Sequence, residues 1–264
     1  MLILGGTGDA TVLAVRASEI PGVDVITALA GRTRQPTVLS ENTRIGGFGG
    51  VAGLTNYLRE QQIDLLIDAT HPFAAQISFN AAAAAATTGI LHLMLIRPAW
   101  NPTTGDRWID VESNQAAATV LPGLAQRIFL TIGRQELAPF AHLQAPSLDT
   151  RNKSLLASQA IDLWFLIRMI DPPPPDVAIP PGKILLARGP FSLEEERSLL
   201  QQYEIGAIVS KNSGGDATYA KIRAARELMI PVVMIQRPSV PSGEQVETLE
   251  TAVAWIRKQL AIRA

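Results

Sequence analysis

The residues best suited to chemistry stand where short apolar runs end. The first group is Gly5-Gly6-Thr7-Gly8-Asp9, directly after Leu2-Ile3-Leu4. Glycines let a backbone approach phosphate oxygens, and a following helix start adds free N–H groups and the positive end of a dipole. That is the chemistry of a nucleotide pyrophosphate, although the spacing departs from G-x-G-x-x-G. The plain alternative is a tight strand–helix turn without a ligand. Asp9 is placed to cap the helix. The next group, "LAGRTRQP", carries Gly31, Arg32 and Thr33. NAD-binding sheets hold an acid at this exit for the ribose hydroxyl; here Arg32 and Arg34 stand instead, which favours a 2′-phosphate and so NADP over NAD. In "RIGGFGG", Gly46, Gly47, Gly49 and Gly50 surround Phe48, a pattern for backbone pressed on a flat ligand with the ring as a wall. "DATHPFA" places Asp68, Thr70 and His71 where a nicotinamide would end. His71 titrates near neutrality when unperturbed and is a candidate proton donor, or else a histidine that hydrogen-bonds its own loop.

The second half repeats this arrangement with more positive charge. "TIGRQEL" offers Gly133, Arg134 and Gln135; "ARGPF" offers Arg188; "SKNSGGDAT" offers Lys211, Asn212, Ser213, Gly214 and Gly215. Each puts a cation or an N–H-rich turn at a strand end, and together they form an anion-receiving set for a nucleotide phosphate or a polycarboxylate. Other constellations are missing. There is no G-x-S-x-G elbow and no G-x-x-x-x-G-K-[ST] loop, and Tyr219 and Lys221 are too close for Tyr-x-x-x-Lys. With no cysteine and only His71, His92 and His142, thiolate sites and disulfides are excluded and no metal site is expected.

These residues need elements to hold them. Strand-like runs occur at 1–4, 23–29, 63–68, 91–96, 127–132, 164–170, 184–187, 206–210 and 231–236, several apolar at nearly every position, as strands covered on both faces are. Helical patterns lie at 9–20, 51–62, 73–88, 135–143, 193–204, 216–229 and 246–261. Such alternation predicts an α/β protein with doubly wound parallel sheets. The segments "IDATHPFAAQISFNAAAAAATTGILHLMLIRP" and "IVSKNSGGDATYAKIRAARELMIPVVMIQRP" share the order strand, polar loop, helix, strand, Arg-Pro. They point to two Rossmann-like domains with a cleft between them, expected at 1–120 (cofactor) and 121–264 (substrate) and meeting near 110–126. "DPPPPDVAIPPG" is stiff and extended, and is expected to cross the second domain's surface. The small side chains of Ala81 to Ala86 are expected to let a helix sit close to a sheet. In bulk terms, 264 residues with 47% hydrophobic and 18% charged residues suit a globular protein with a large core. A net charge of −1 with no basic run argues against nucleic acid, and no apolar run reaches the roughly 20 residues of a membrane span. A soluble, cytoplasmic protein is expected; the oligomeric state is not read from the sequence.

Taken in order, "ILGGT", "LAGRT", "GGFGG", "DATHPFA", Arg97-Pro98 with Trp100, "GRQ", "IRMIDPP", "RGPF" and "KNSGG" followed by Ala217-Thr218 resemble one family, the precorrin-6A reductases of cobalamin biosynthesis. The resemblance runs to about Pro238. It departs in the first loop, where Gly8 and Asp9 replace a hydroxyl residue and Glu, and Thr11 replaces Arg. The resemblance implies two Rossmann-like domains and NADPH-dependent reduction of one double bond of a corrin precursor, precorrin-6A or its cobalt form. Gly5, Gly6, Thr7, Gly8, Gly31, Arg32, Thr33, Gly47, Phe48, Gly49, Thr70 and His71 would then face the cofactor. Gly133, Arg134, Gln135, Arg188 and Lys211 to Gly215 would face a tetrapyrrole rich in carboxylate arms. The residues alone leave open another NADP-dependent oxidoreductase of a small anion, or a non-catalytic nucleotide or tetrapyrrole carrier.

Overall fold

The computed structural model describes residues 1–31, 42–141, 143 and 163–263. The chain starts β1 (Leu2–Leu4), α1 (Gly8–Ser18), β2 (Ile26–Leu29), β3 (Thr43–Ile45), α2 (Gly50–Glu60), β4 (Leu65–Asp68), α3 (Ala75–Thr88) and β5 (Leu91–Leu95). It continues with β6 (Trp108–Val111), α4 (Asn114–Val120), β7 (Arg127–Thr131), α5 (Ala138–Ala141), β8 (Trp164–Met169) and β9 (Gly182–Leu186). Then come α6 (Leu193–Gln202), β10 (Ala207–Lys211), α7 (Ala220–Glu227), β11 (Val232–Ile235), β12 (Glu244–Val246) and α8 (Leu249–Arg263).

Two compact units result, Met1–Pro98 with Pro238–Ala264, and Ala99–Arg237. The expected division at residue 120, with a meeting point near 110–126, is thereby corrected. β6 and α4 belong to the second unit, where β6 pairs with β11, and the chain past Arg237 returns to the first, where β12 pairs with β5. Both passages fall at an Arg-Pro dipeptide, Arg97-Pro98 and Arg237-Pro238. The proline-rich stretch from Asp171 lies inside the second unit, as expected.

Each unit is a six-stranded sheet, ordered β12-β5-β4-β1-β2-β3 and β6-β11-β10-β7-β8-β9, and every pairing is parallel. Reading β7 to β11 as strands one to five of the second sheet, both follow the doubly wound order 3-2-1-4-5-6. The two segments with matching sequence order, β4-α3-β5 and β10-α7-β11, hold positions four and five in their sheets. In both units the last strand comes from the far side of an Arg-Pro passage.

The apolar strand residues are covered on both faces. Ile3 packs with Leu13, Ala17, Trp255 and Ile256, while Leu2 and Leu4 pack with Leu54, Leu58, Ala81 and Ala84. The alanine run does the packing expected of it: Ala81, Ala84 and Ala85 are buried where α3 approaches α2 and the sheet. In the second unit, Phe129, Leu166 and Ile208 meet Leu200, Ile222 and Ala225. The same layer buries Arg168 and Glu196 as a bidentate pair, at 3.1 and 2.7 Å, together with Lys221.

Burial pushes the Lys221 ammonium down from its ordinary 10.5 to about 7; the Arg168 charge adds to the shift and Glu196 opposes it. Between those two values the unfolded chain holds the extra proton, so stability rises with pH there. Below about pH 7 both states are charged and the full cost of burying the cation remains. Lys221→Met should therefore raise the melting temperature most at pH 6–7, with the gain shrinking toward pH 10. Thermal melts of both proteins across that range check this; a gain independent of pH would contradict it.

Candidate functional site

In a doubly wound sheet the ligand crevice lies at the carboxyl ends of strands one and four, where the connections diverge to opposite faces. In the first unit that point is the exit of β1 beside β4, with Leu4 in register with both Ala28 and Asp68. The Gly5–Gly8 turn occupies it. Gly6 takes φ +108, and side-chain carbons built onto Gly6 or Gly8 would meet nothing within 4 Å, so this backbone borders open space. Thr7 is the N-cap of α1: its Oγ1 accepts from the Ala10 amide at 3.0 Å and donates to the Ala69 carbonyl at 2.8 Å. The hydroxyl thus ties the exit of β1 to that of β4 and leaves the first helical amides, of Gly8 and Asp9, outside the helix's own bonding. Asp9 does not cap, contrary to expectation. Thr7 already has the extended backbone that a cap needs, so Asp9 falls within the first turn, where its carboxylate pairs with Arg97 at 2.8 Å.

The neighbouring exits are fixed in the same way. The Gly46 amide donates to the Leu29 carbonyl at 2.8 Å, which joins the ends of β2 and β3, and Gly31 beside them takes φ +70. Arg32 and Thr33 lie outside the described residues. Phe48 is half-buried. Its ring meets Tyr57 edge-on at 5.1 Å and the Arg44 guanidinium at 4.7 Å, while Arg44 donates to the Gly47 carbonyl at 2.9 Å. Gly47 and Gly49 on either side are exposed. A side chain at Gly53, inside α2, would run into the Phe48 carbonyl, so this glycine is what lets the loop settle on the helix. Past β4, buried Asp68 accepts from the Thr70 amide at 3.0 Å and hydroxyl at 2.6 Å. His71 Nδ1 accepts from the Phe73 amide at 3.2 Å, so the neutral ring carries its proton on Nε2.

In the second unit the equivalent point lies between β7 and β10, where Thr131 Oγ1 donates to the Val209 carbonyl at 2.9 Å. Here the polar residues hold one another. Lys211 Nζ binds Glu136 at 2.6 Å, and Glu136 also accepts from the Gly133 amide at 3.1 Å. Arg134 donates to the Pro172 carbonyl at 3.0 Å, and Gln135 is exposed beside it. Asn212 is buried: its side chain accepts from the Trp100 amide at 2.8 Å and donates to the Trp100 carbonyl at 3.0 Å. The Trp100 indole donates to the Gly215 carbonyl at 2.8 Å, and Arg237 donates to the carbonyls of Asn212 and Ser213. Gly214 and Gly215 both take positive φ, which turns the loop sharply before α7. Arg188 is exposed beyond β9.

Sequence reasoning missed Glu136, whose signal is an acid three residues after Gly133, and Arg44, a half-buried cation that lies against the rings of Phe48 and Tyr57. It also read Asn212 as facing a ligand, where the structure gives its side chain wholly to Trp100.

Two doubly wound parallel sheets, with an open glycine turn at the switch point of one and an ion-paired loop set at that of the other, define a Rossmann-type α/β protein. Residues 1–257 match the family described as Precorrin-6x reductase CbiJ/CobK, and the chain belongs to that family. "Precorrin-6A reductase" of Rhodococcus erythropolis is 48% identical over 258 residues, 97% of this chain and 96% of its own. "Precorrin-6A reductase" of a Sinorhizobium species is 43% identical over 260 residues, 97% and 93% of the two chains. A solved structure named "CobK precorrin-6A reductase" matches with a TM-score of 0.85 at 40% identity, over 97% of this chain and 95% of that one.

Thr7→Val keeps the side chain's shape and removes both the cap and the bond to Ala69. It should cost about 1–2 kcal/mol, whereas Thr7→Ser should keep most of the stability. Denaturant titration of the three proteins measures the difference.

Proposed function

We propose that this protein reduces one carbon–carbon double bond of a corrin precursor, precorrin-6A to precorrin-6B, with NADPH as the hydride donor. The observation that carries the reading is the open Gly5–Gly8 turn at the switch point of a doubly wound sheet, in a chain that the reductase family matches from residue 1 to 257. Both sequence relatives described above are named for precorrin-6A, so the cobalt-free macrocycle is the first substrate to assay.

The first unit fits a dinucleotide. Space beside Gly6 and Gly8, and the amides at the start of α1, suit a pyrophosphate. Gly31, Gly47 and Gly49 line the exits of β2 and β3, where the adenosine half lies in this fold, and Arg32 with Thr33 would hold a 2′-phosphate. Thr70 and His71 stand at the exit of β4, toward the nicotinamide half; with its proton on Nε2, neutral His71 is a hydrogen-bond donor there. NADPH, when bound, would supply a hydride to one carbon of the double bond; the other carbon would take a proton from solvent, leaving NADP+ and a product with two more hydrogens. The second unit's part is to hold the substrate: Arg134, Arg188 and Lys211, with the turn at Gly214 and Gly215, offer the positive charge and N–H donors that acetate and propionate arms require. Glu136 keeps Lys211 in place through its pair and cancels part of its charge.

Incubating the pure protein with NADPH and precorrin-6A tests the reading: NADPH absorbance should fall as the substrate gains two mass units. Failure of both with authentic substrate would overturn it. Arg32→Ala should weaken NADPH by about tenfold or more, the worth of one charge-assisted hydrogen bond, and NADH much less. Equal losses, read by fluorescence titration, would remove Arg32 from the 2′-phosphate. Lys211→Ala should raise the KM for the macrocycle by about tenfold on the same scale and leave NADPH affinity near that of the wild type. A collapse of NADPH binding instead would reverse the assignment of ligands to the two units.

A further inference from the structure

Two of the motif segments that mark the family meet in the second unit at a buried cation rather than at a loop tip, and a third lies against a second buried cation beside it. Arg168, from "IRMIDPP", lies with its guanidinium carbon 3.8 Å from the ring centre of Phe191, from "RGPF", and 4.8 Å from that of Phe129. Glu196, wholly buried on α6, grips the same guanidinium through both carboxylate oxygens. Trp100, from the segment after Arg97-Pro98, stands 5.4 Å from the Lys221 nitrogen in the same cluster. A planar fork held at two points cannot swing, so Arg168 offers a fixed surface on which a ring can stack. Buried ion pairs are weak stabilisers compared with apolar packing, and a buried Arg–Glu pair beside a lysine calls for another use.

Phe191 has the geometry to transmit that fixity. On its C-terminal side, Ser192 caps α6 through a capping box with Glu195, which clamps the chain there. On its N-terminal side only Pro190 and Gly189 separate it from Arg188. A side-chain carbon on Gly189 would stand 3.2 Å from the Phe191 ring and 3.5 Å from the Ala217 carbonyl, so Gly189 threads between Phe191 and the segment that follows Gly215. The exit of β9 is thereby set against the exit of β10, and Arg188 is the exposed cation it presents.

We infer that Arg168 and Phe191 are positioning residues: their stacked pair fixes the loop that carries Arg188 beside the Lys211–Gly215 loop, so that both receive anionic arms of one substrate. The inference rests on the reductase reading above. Phe191→Leu keeps an apolar side chain and removes the stacking face. At saturating NADPH it should raise the KM for precorrin-6A about three- to tenfold, the equivalent of one desolvated cation–π contact, with kcat and the NADPH KM little changed. Phe191→Tyr should restore the wild-type KM. Because Phe191 acts through Arg188, the double variant Phe191→Leu/Arg188→Ala should bind no worse than Arg188→Ala alone. Arg168→Lys, which keeps the charge and loses fork and stack, should reproduce the KM rise. An unchanged KM in Phe191→Leu, or additive losses in the double variant, would overturn the inference. Equal falls in kcat and melting temperature without a KM change would do so too, since they mark packing alone. Macrocycle binding followed by fluorescence quenching reads the same coupling without turnover. A wild-type protein that binds but does not reduce the macrocycle would therefore sink the reductase reading and leave the coupling measurable.

Discussion

The outer edge of β5 has to find a backbone partner, and the chain supplies it from its last strand. A parallel strand cannot be paired by a hairpin, and an apolar strand left unpaired would carry orphaned amides and carbonyls. Leu93, Met94 and Leu95 are buried and are matched by Glu244, Gln245 and Val246. In the other sheet Val232 to Ile235 are matched by Trp108 to Val111 in the same sense. Each sheet is thus completed by a strand reached through an Arg-Pro passage from the other unit, and the first unit is built from two separate stretches of sequence flanking the continuous second. Cutting the chain at residue 120 would leave the first sheet without β12 and α8, and with them Trp255 and Ile256 of its core.

That arrangement explains how the polar residues at the strand ends are used. Loops at the exits of parallel strands have no hairpin geometry to shape them, so side chains do it. Thr7 bridges β1 and β4, Asp68 closes the turn at Thr70, Glu136 joins the exits of β7 and β10, and Asn212 holds Trp100 where the chain enters its unit. Each such bond adds on the order of 1 kcal/mol of net stability, yet leaving buried Asp68 or Asn212 unpaired would cost more. The same residue types that bind anions are here partly committed to scaffolding. The backbone beside Gly6 and Gly8 is not used in this way and borders open space.

The sequence showed the interior of both sheets and little of their rims. The nine strands expected from apolar runs are all present, because strands buried on both faces must be apolar throughout. The three strands without such a run, Thr43–Ile45, Trp108–Val111 and Glu244–Val246, are all edge strands, short and half polar, and their pairing depends on where the chain travels rather than on local pattern. Of the pattern at 135–143, the helix among the described residues is Ala138–Ala141, and it starts late because Gly133 and Arg134 are occupied in a turn closed by the Glu136 amide on the Gly133 carbonyl. In the candidate site, the glycine turn was legible because its conformation demands glycine at Gly6. The ties Thr7–Ala69, Lys211–Glu136 and Arg168–Glu196 were not, because each joins elements that only the sheet order makes neighbours.

The matching segments β4-α3-β5 and β10-α7-β11 show how far shared architecture carries shared chemistry. Both end in an arginine that folds back toward the switch point of its own sheet. Arg97 reaches a carboxylate, Asp9 on α1, and Arg237 reaches two carbonyls, of Asn212 and Ser213. The first contact lies beyond the glycine turn and leaves the backbone at Gly6 and Gly8 beside open space. The second draws the loop after β10 onto the start of its own unit, through Asn212 and Trp100, and leaves that loop largely buried. The same strand order therefore yields an open cradle at the exit of β1 in one unit and a braced, cation-bearing ledge at the exits of β7, β9 and β10 in the other. The proposed reaction would use that division, with a backbone surface for the cofactor and fixed charges for the substrate it must orient.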